Sequence, residues 1–333
     1  MMIIDIHGHV VAPMELYAYQ ASLISSRGAH GRGNPGITDE KLLSAVSTHS
    51  GEPRRHVNIL DDFGTDLQFI SPRPYASIHS MKPEKIVRWY TEEVNNVIAG
   101  VCRVNPGRFR GIAGLPQSAG VSPRNTLEEV ERCIKELGFV GVMLNPDPHE
   151  GLETPPGLGD EYWYPLYEKL VELDVPAVIH SASCLSPRES YSLHFINEES
   201  IAVMSLLDSR VFEDFPNLKI VVCHGGGAVP YHVGRFIAGR IRAKHSERFE
   251  DALRKLYFDT CLYTQEALEL LIKVAGPKNC LFGTENPGTG SVIDPRTGKY
   301  MDDIKTMIES IEWLSNEDKQ LIFEGNARRL FRI

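Results

Sequence analysis

Eight short apolar runs, each followed by a helical pattern or a loop, predict a single (β/α)8 barrel, a TIM barrel, over residues 1–333. The runs are nearly continuous rather than alternating, as expected for strands buried on both faces of a parallel sheet. No G-x-G-x-x-G follows the first run, which disfavours an open doubly wound sheet. A barrel needs ~250 residues, so a chain of 333 leaves room for an insertion, placed at about residues 22–55.

The first strand is Ile3–Val10, a β-branched run that ends in His7-Gly8-His9. Side chains at i and i+2 of a strand share a face. Asp5, His7 and His9 are therefore expected on one side, with Ile4 and Ile6 on the other. Ser22–Arg55 is rich in Ser, Gly, His and Arg and carries one predicted helix, Asp39–Val46. It is too long for a simple connection and reads as a lid or a disordered insert. Asp66–Ile70 is the second strand, closed by Ser71-Pro72-Arg73-Pro74. Apolar residues at helical spacing predict a helix over Pro83–Arg103, stopped by Asn105-Pro106-Gly107. Phe109–Leu115 is the third strand. Ser122 opens and Gly138 follows the next helix, and Phe139–Leu144 is the fourth strand, closed by Asn145-Pro146-Asp147-Pro148.

The alternation continues. A helix over Trp163–Leu173 precedes strand five, Val175–His180. A helix over Glu198–Phe212 precedes strand six, Leu218–His224. Gly225–Gly227 follows, then a helix to about Arg242. Leu256–Asp259 is strand seven, Gln265–Val274 a helix, and Cys280–Gly283 strand eight, ending in Thr284-Glu285. Two helices close the chain, about Asp302–Trp313 and Asn316–Phe323, the second capped by Ser315.

Composition narrows the function. Hydrophobic content of 42% and charged content of 24% are those of an ordinary globular protein. A formal charge of −9 argues against a nucleic-acid partner. No apolar run approaches the ~20 residues that span a bilayer, and no basic-then-apolar leader is present, so no membrane partner is expected. The six cysteines form no C-x-x-C pair and read as free thiols of a reducing cytoplasm.

In such a barrel, catalytic groups converge from the C-terminal ends of several strands. The polar residues at those ends are His7 and His9, Arg73, Asn145, His180, His224 and Glu285. Imidazoles joined by one carboxylate suit a divalent ion with a position left open for water. Arg73 and Arg235 are candidate clamps for carboxylates, with Arg296 a further candidate in Asp294-Pro295-Arg296. Asn145 and His194 are further candidate substrate contacts. The Gly225–Gly227 turn could offer free N–H groups to an anion at a helix N-terminus. The remaining histidines, His49 among them, have no strand-end position and are not assigned to the metal.

Asp5-Ile6-His7-Gly8-His9, the histidines closing strands five and six, and the acid closing strand eight resemble the amidohydrolase superfamily. Asn105–Phe109, His224–Tyr231 and Glu324–Phe331 are similar to its branch of aminocarboxymuconate semialdehyde decarboxylase and relatives. Most of that branch carries aspartate after strand eight. Glu285, with Ser71-Pro72-Arg73, Asn145–Pro148 and Ile293–Gly298, is instead similar to the 4-oxalomesaconate hydratases of aromatic-acid breakdown. The resemblance implies one divalent metal, zinc or else manganese, held by His7, His9, His180 and Glu285. It implies His224 as a catalytic acid or base beside the metal. The expected activity is hydration of a small polycarboxylate by a cytoplasmic homo-oligomer, a dimer or larger. Non-oxidative decarboxylation and amide or lactone hydrolysis are the alternatives.

Overall fold

The computed structural model describes residues 1–47 and 55–333. His49 and part of the 22–55 insertion lie outside the described residues. Eight parallel strands follow one another in chain order: β1 (Ile4–His9), β2 (Leu67–Ser71), β3 (Phe109–Gly114), β4 (Gly141–Leu144), β5 (Ala177–Ile179), β6 (Ile220–Val222), β7 (Tyr257–Asp259) and β8 (Cys280–Leu281). Ile6 N–H donates to Phe282 O at 2.9 Å and Glu285 N–H to His7 O at 2.8 Å. These two bonds carry the ring from the last strand back to the first, and the expected (β/α)8 barrel is what forms.

Helices cover the outside. Between β1 and β2 lie α1 (Met14–Ser26), α2 (Asp39–Val46) and α3 (His56–Phe63). Then α4 (Glu84–Val104) follows β2, α5 (Leu127–Lys135) follows β3, and α6 (Tyr164–Leu173) follows β4. After β5 come α7 (Tyr191–Leu207) and α8 (Val211–Asp214), and after β6 come α9 (Val233–Arg242) and α10 (Phe249–Leu253). The chain continues with α11 (Gln265–Ala275) after β7 and ends, beyond β8, in α12 (Ile304–Glu309), α13 (Asn316–Gln320) and α14 (Asn326–Phe331).

Several elements depart from the sequence reading. The unassigned Met14–Ser26 is helical and buries Leu16, Tyr19 and Leu23, a stripe at i, i+3 and i+7. Helix α7 starts at Tyr191 rather than Glu198, capped by Ser190, whose Oγ accepts from Leu193 N–H at 3.4 Å. The last helix continues beyond Phe323, through a π-helical turn, to Phe331. Helix α2 matches its prediction and packs against α4. Arg103, near the C-terminal end of α4, donates to both oxygens of Asp39 at 2.6 and 2.7 Å. A Cβ on Gly100 would sit 2.5 Å from Leu42 Cδ1. Lys41 of α2 also pairs with Glu15 at the start of α1 at 2.8 Å, so α2 bridges α1 and α4 on the outside of the barrel.

The core has two layers. An outer one joins the strands to the helices through Val142, Ile179, Val222, Phe258 and their helical partners. An inner one fills the barrel with Ile4, Ile6, Leu67, Phe69, Ile112, Val178, Val221 and Leu281, and α14 closes it with Ala327, Leu330 and Phe331.

Ile4 and Ile6 share that inner face as expected, but His7 does not stay on the side of Asp5. Asp5 faces outward, where Gln68 Nε2 donates to its Oδ2 at 2.8 Å. Gly8 faces outward too, since a Cβ there would lie 2.4 Å from Gln68 Cδ. The register between β1 and β2 shifts between Asp5 and Gly8. This one-residue irregularity turns His7 inward beside Ile6, as a bulge re-aims a side chain near a site. Gln68 cannot swing away: its Oε1 accepts from His56 Nε2 at 2.6 Å and its Nε2 also donates to Asn286 O at 2.7 Å. Gly8→Ala is therefore expected to destabilise the fold by about 1–3 kcal/mol. Equilibrium denaturation checks this, and unchanged stability would count against the bulge account.

Candidate functional site

The strand ends bring five side chains together. One ligand atom each from His7, His180, His224 and Glu285 lie within 4.8 Å of one another. The ring of His9 is 5.2 Å from that of His7 and 5.0 Å from that of His180, centroid to centroid. His9 Nε2 is 3.7 Å from Glu285 Oε1. All five residues are buried, and His224 is the most exposed at 8%.

Each imidazole is oriented through Nδ1. His7 Nδ1–H donates to Asp259 Oδ2 at 2.6 Å. His180 Nδ1–H donates to Ser181 O at 2.6 Å. Ser71 Oγ donates to Gly8 O at 3.1 Å, so it accepts from His9 Nδ1–H at 2.9 Å. That leaves the Nε2 lone pairs of His7, His9 and His180 buried without a hydrogen-bond partner. An unsatisfied buried acceptor is costly. Three together, each with its tautomer fixed from behind, could serve as donors to a divalent ion. Burial pushes His9 down to about 4 and His180 well below the usual imidazole value, so both stay neutral and able to ligate.

His224 behaves differently. Its Nδ1–H donates to Glu199 at 2.8 and 3.0 Å. Burial alone would lower its pKa, but the Glu199 carboxylate, with Glu285 and Asp259, outweighs burial and holds it up to about 10. His224 is thus protonated at neutral pH. For Glu285 the balance runs the other way. Burial opposes ionisation, yet contact with His9 and the charge of His224 hold its carboxyl well below the usual range. Its Oε2 accepts from Tyr263 O–H at 2.7 Å, which leaves Oε1 turned toward His9.

The backbone is strained here. His224 and Glu285 take left-handed φ values of 48° and 61°. Such a conformation costs a non-glycine residue about 1–3 kcal/mol and persists only where the surroundings impose it. On either side of that backbone, Glu285 N–H donates to His7 O at 2.8 Å, and Asp5 accepts from His7 N–H at 3.0 Å, Thr284 N–H at 3.1 Å and Thr284 O–H at 2.6 Å. Burial pushes the Asp5 carboxyl up to about 6 against those bonds.

The family model described as Amidohydrolase matches residues 4–333. The chain belongs to the amidohydrolase family. It is 38% identical to the 2-keto-4-carboxy-3-hexenedioate hydratase of Sphingobium sp. (strain NBRC 103272 / SYK-6), with 99% of this chain and 96% of that protein covered. A crystal structure of 4-oxalomesaconate hydratase from Rhodopseudomonas palustris superposes with a TM-score of 0.89 at 38% identity, covering 99% of this chain and 96% of that one. A gamma-resorcylate decarboxylase of Polaromonas sp. (strain JS666 / ATCC BAA-500) is 28% identical over 84% of this chain and 87% of its own. This amidohydrolase is a lyase-type enzyme, of the branch in which hydratases and decarboxylases both occur.

The candidate substrate contacts fare unevenly in this amidohydrolase. Arg73 is half-buried and fixed by its Nε, which donates to Val10 O at 3.2 Å. It has no carboxylate partner among the described residues, and its charge acts on His9. The amide of Asn145 is spent locally: Nδ2 donates to Asp147 O at 2.9 Å and Oδ1 accepts from Asp147 N–H at 3.1 Å. His194 lies in a separate cleft with Asp147 and Glu198. Arg235 is exposed on α9, and Arg296 projects into solvent, paired with Asp294 at 3.2 Å. The glycine turn holds no anion cradle. Gly225, Gly226 and Gly227 all have positive φ, and their N–H groups go to Asp259, Cys223 and His224, while α9 begins only at Val233.

Sequence reasoning missed Asp259, Glu199 and Tyr263, the residues that hold His7, His224 and Glu285. Asp259 closes strand seven and shared the signal used for the histidines. Glu199 and Tyr263 carried none, because their partners are long-range in sequence.

Proposed function

We propose that this amidohydrolase adds water across the carbon–carbon double bond of a muconate-type tricarboxylate, 4-oxalomesaconate or its enol tautomer, in the breakdown of aromatic acids. The observation that carries the reading is the full-length similarity to hydratases at 38% identity, against 28% for a decarboxylase. The unpartnered Nε2 atoms of His7, His9 and His180, together with Glu285 Oε1, fit a divalent ion, and imidazole-rich donors favour zinc. Such an ion supplies Lewis acidity that brings the pKa of a coordinated water toward ~7.

The residues of the chain do the rest. Glu285, ionised and steadied by Tyr263, takes the proton from the attacking water. The water oxygen bonds one alkene carbon while His224, kept protonated by Glu199, gives its Nε2 proton to the other. Asp259, Ser71 and the Ser181 carbonyl keep the three ligand rings from turning. Arg73 grips a substrate carboxylate at the mouth. Arg73→Met is therefore expected to raise KM for a polycarboxylate by ~10–150-fold, the equivalent of ~1.5–3 kcal/mol for a charged hydrogen bond. Unchanged KM with a lowered melting temperature would make Arg73 structural.

Decarboxylation of an aromatic or muconate acid is the second reading, favoured by the gamma-resorcylate decarboxylase relative. Mass spectrometry of the product separates the two. Incubation with 4-oxalomesaconate should give a product heavier by one water, and loss of carbon dioxide from the same substrate or from 2,6-dihydroxybenzoate would support the second reading instead.

A further inference from the structure

Helix α7 carries a second cluster that the chemistry above does not use. His194 and Glu198 are four residues apart, so they share one helix face. That face meets Asp147, which follows β4. One ligand atom each from Asp147, His194 and Glu198 lie within 4.8 Å of one another. They line a cleft of about 370 Å³ that none of His7, His9, His180, His224 and Glu285 lines.

We propose that Asp147, His194 and Glu198 form a second divalent-cation site, of the zinc or manganese class, separate from the cluster at the barrel mouth.

The decisive atom is His194 Nε2. The residue is 1% exposed, and Nε2 has no hydrogen-bond partner. Its Nδ1–H donates to Glu189 Oε2 at 2.8 Å, and Glu189 Oε1 is itself held by Asn197 Nδ2 at 2.8 Å. A carboxylate behind Nδ1 fixes the tautomer that leaves a lone pair on Nε2, the usual backing of a metal-ligating histidine. Nε2 stands 3.8 Å from Asp147 Oδ2. That gap is too wide for a hydrogen bond. Two donors each ~2.1 Å from a tetrahedral ion sit roughly 3.4 Å apart, so only a small contraction is needed. Asp147 is 2% exposed and already positioned, because it accepts from His149 N–H at 2.9 Å and Gly151 N–H at 2.6 Å. Burial and the Asp147 charge push Glu198 up to about 7, a carboxylate repulsion that a cation would relieve. One imidazole with two carboxylates suits a first-row transition ion better than an all-oxygen ion such as magnesium. An ion here would tie the segment after β4 to α7. Phe195 on that helix packs 5.0 Å from the ring of His180 and 5.8 Å from that of His224, so the clamp would stiffen a wall of the active site.

Zinc titration of the full-length, metal-stripped protein tests this, read by calorimetry and by elemental analysis after desalting. Wild type should bind two equivalents per chain. His194→Gln and Glu198→Gln should each bind one, and zinc should raise the melting temperature of both variants less than that of wild type. His7→Ala should keep the equivalent that His194→Gln loses, so loss of the barrel-mouth metal and loss of this one are told apart. Glu198 is only half-buried, so its variant remains informative if His194→Gln fails to fold. A single equivalent in wild type, or two equivalents persisting in Glu198→Gln, would overturn the proposal.

Discussion

Glu285→Gln is expected to keep much of its metal and lose at least ~10²-fold in hydration rate, the loss typical of removing a general base. Glutamine preserves size and an oxygen able to ligate weakly, while charge and basicity go. The structure sharpens the expectation. Tyr263 O–H faces Glu285 Oε2; a glutamine amide nitrogen there can donate to the same hydroxyl oxygen, which leaves the carbonyl at the Oε1 position facing the metal ligands. Position is then conserved and proton affinity is not. Glu285→Asp should be partly active, because base and ligand remain but are set back by one methylene from a backbone already strained at φ 61°. Turnover measured at matched metal content checks this. Near-wild-type turnover of Glu285→Gln would remove the glutamate from the proton-transfer step.

Loss of a ligand histidine should have the other large effect. His7→Ala and His180→Ala are each expected to lose most of the divalent metal from the barrel mouth, and with it activity. Asp259→Asn should be milder. Asp259 stands behind the His7 ring, accepting from its Nδ1–H at 2.6 Å, and burial opposes its charge while His7 holds its carboxyl below the usual range. Removing such a backing group costs ~10–100-fold in metal affinity. Elemental analysis after dialysis gives the ranking. Full metal content at the barrel mouth in both alanine variants would sink the ligand assignment.

The barrel and the ends of its strands were legible in the chain because local rules govern both. Continuous apolar runs mark buried parallel strands, and His7, His9, His180, His224 and Glu285 stand where such strands stop. Helix α2 was legible to the residue, since Thr38 caps it and Val46 ends its pattern. The bulge in β1 was not. It depends on Gln68, a residue 60 positions further along, filling the space above Gly8. Strict alternation therefore put Ile6 and His7 on opposite sides, and the structure puts both inside. The same limit hid Glu199 and Tyr263, which act on His224 and Glu285 across 25 and 22 residues. Arg296 shows a local partner that the turn pattern did not suggest. A charge in a Pro-Gly turn invites a role in binding, but Asp294 two residues earlier already satisfies it at the surface.

The measurement closest to the central claim is the fate of solvent oxygen. Wild-type enzyme supplied with 4-oxalomesaconate in ¹⁸O-labelled water should place one labelled hydroxyl on the product and release no carbon dioxide. The metal-depleted enzyme should leave the substrate unconverted. Carbon dioxide released with no label retained on carbon would contradict the hydratase account and make this active site that of a decarboxylase.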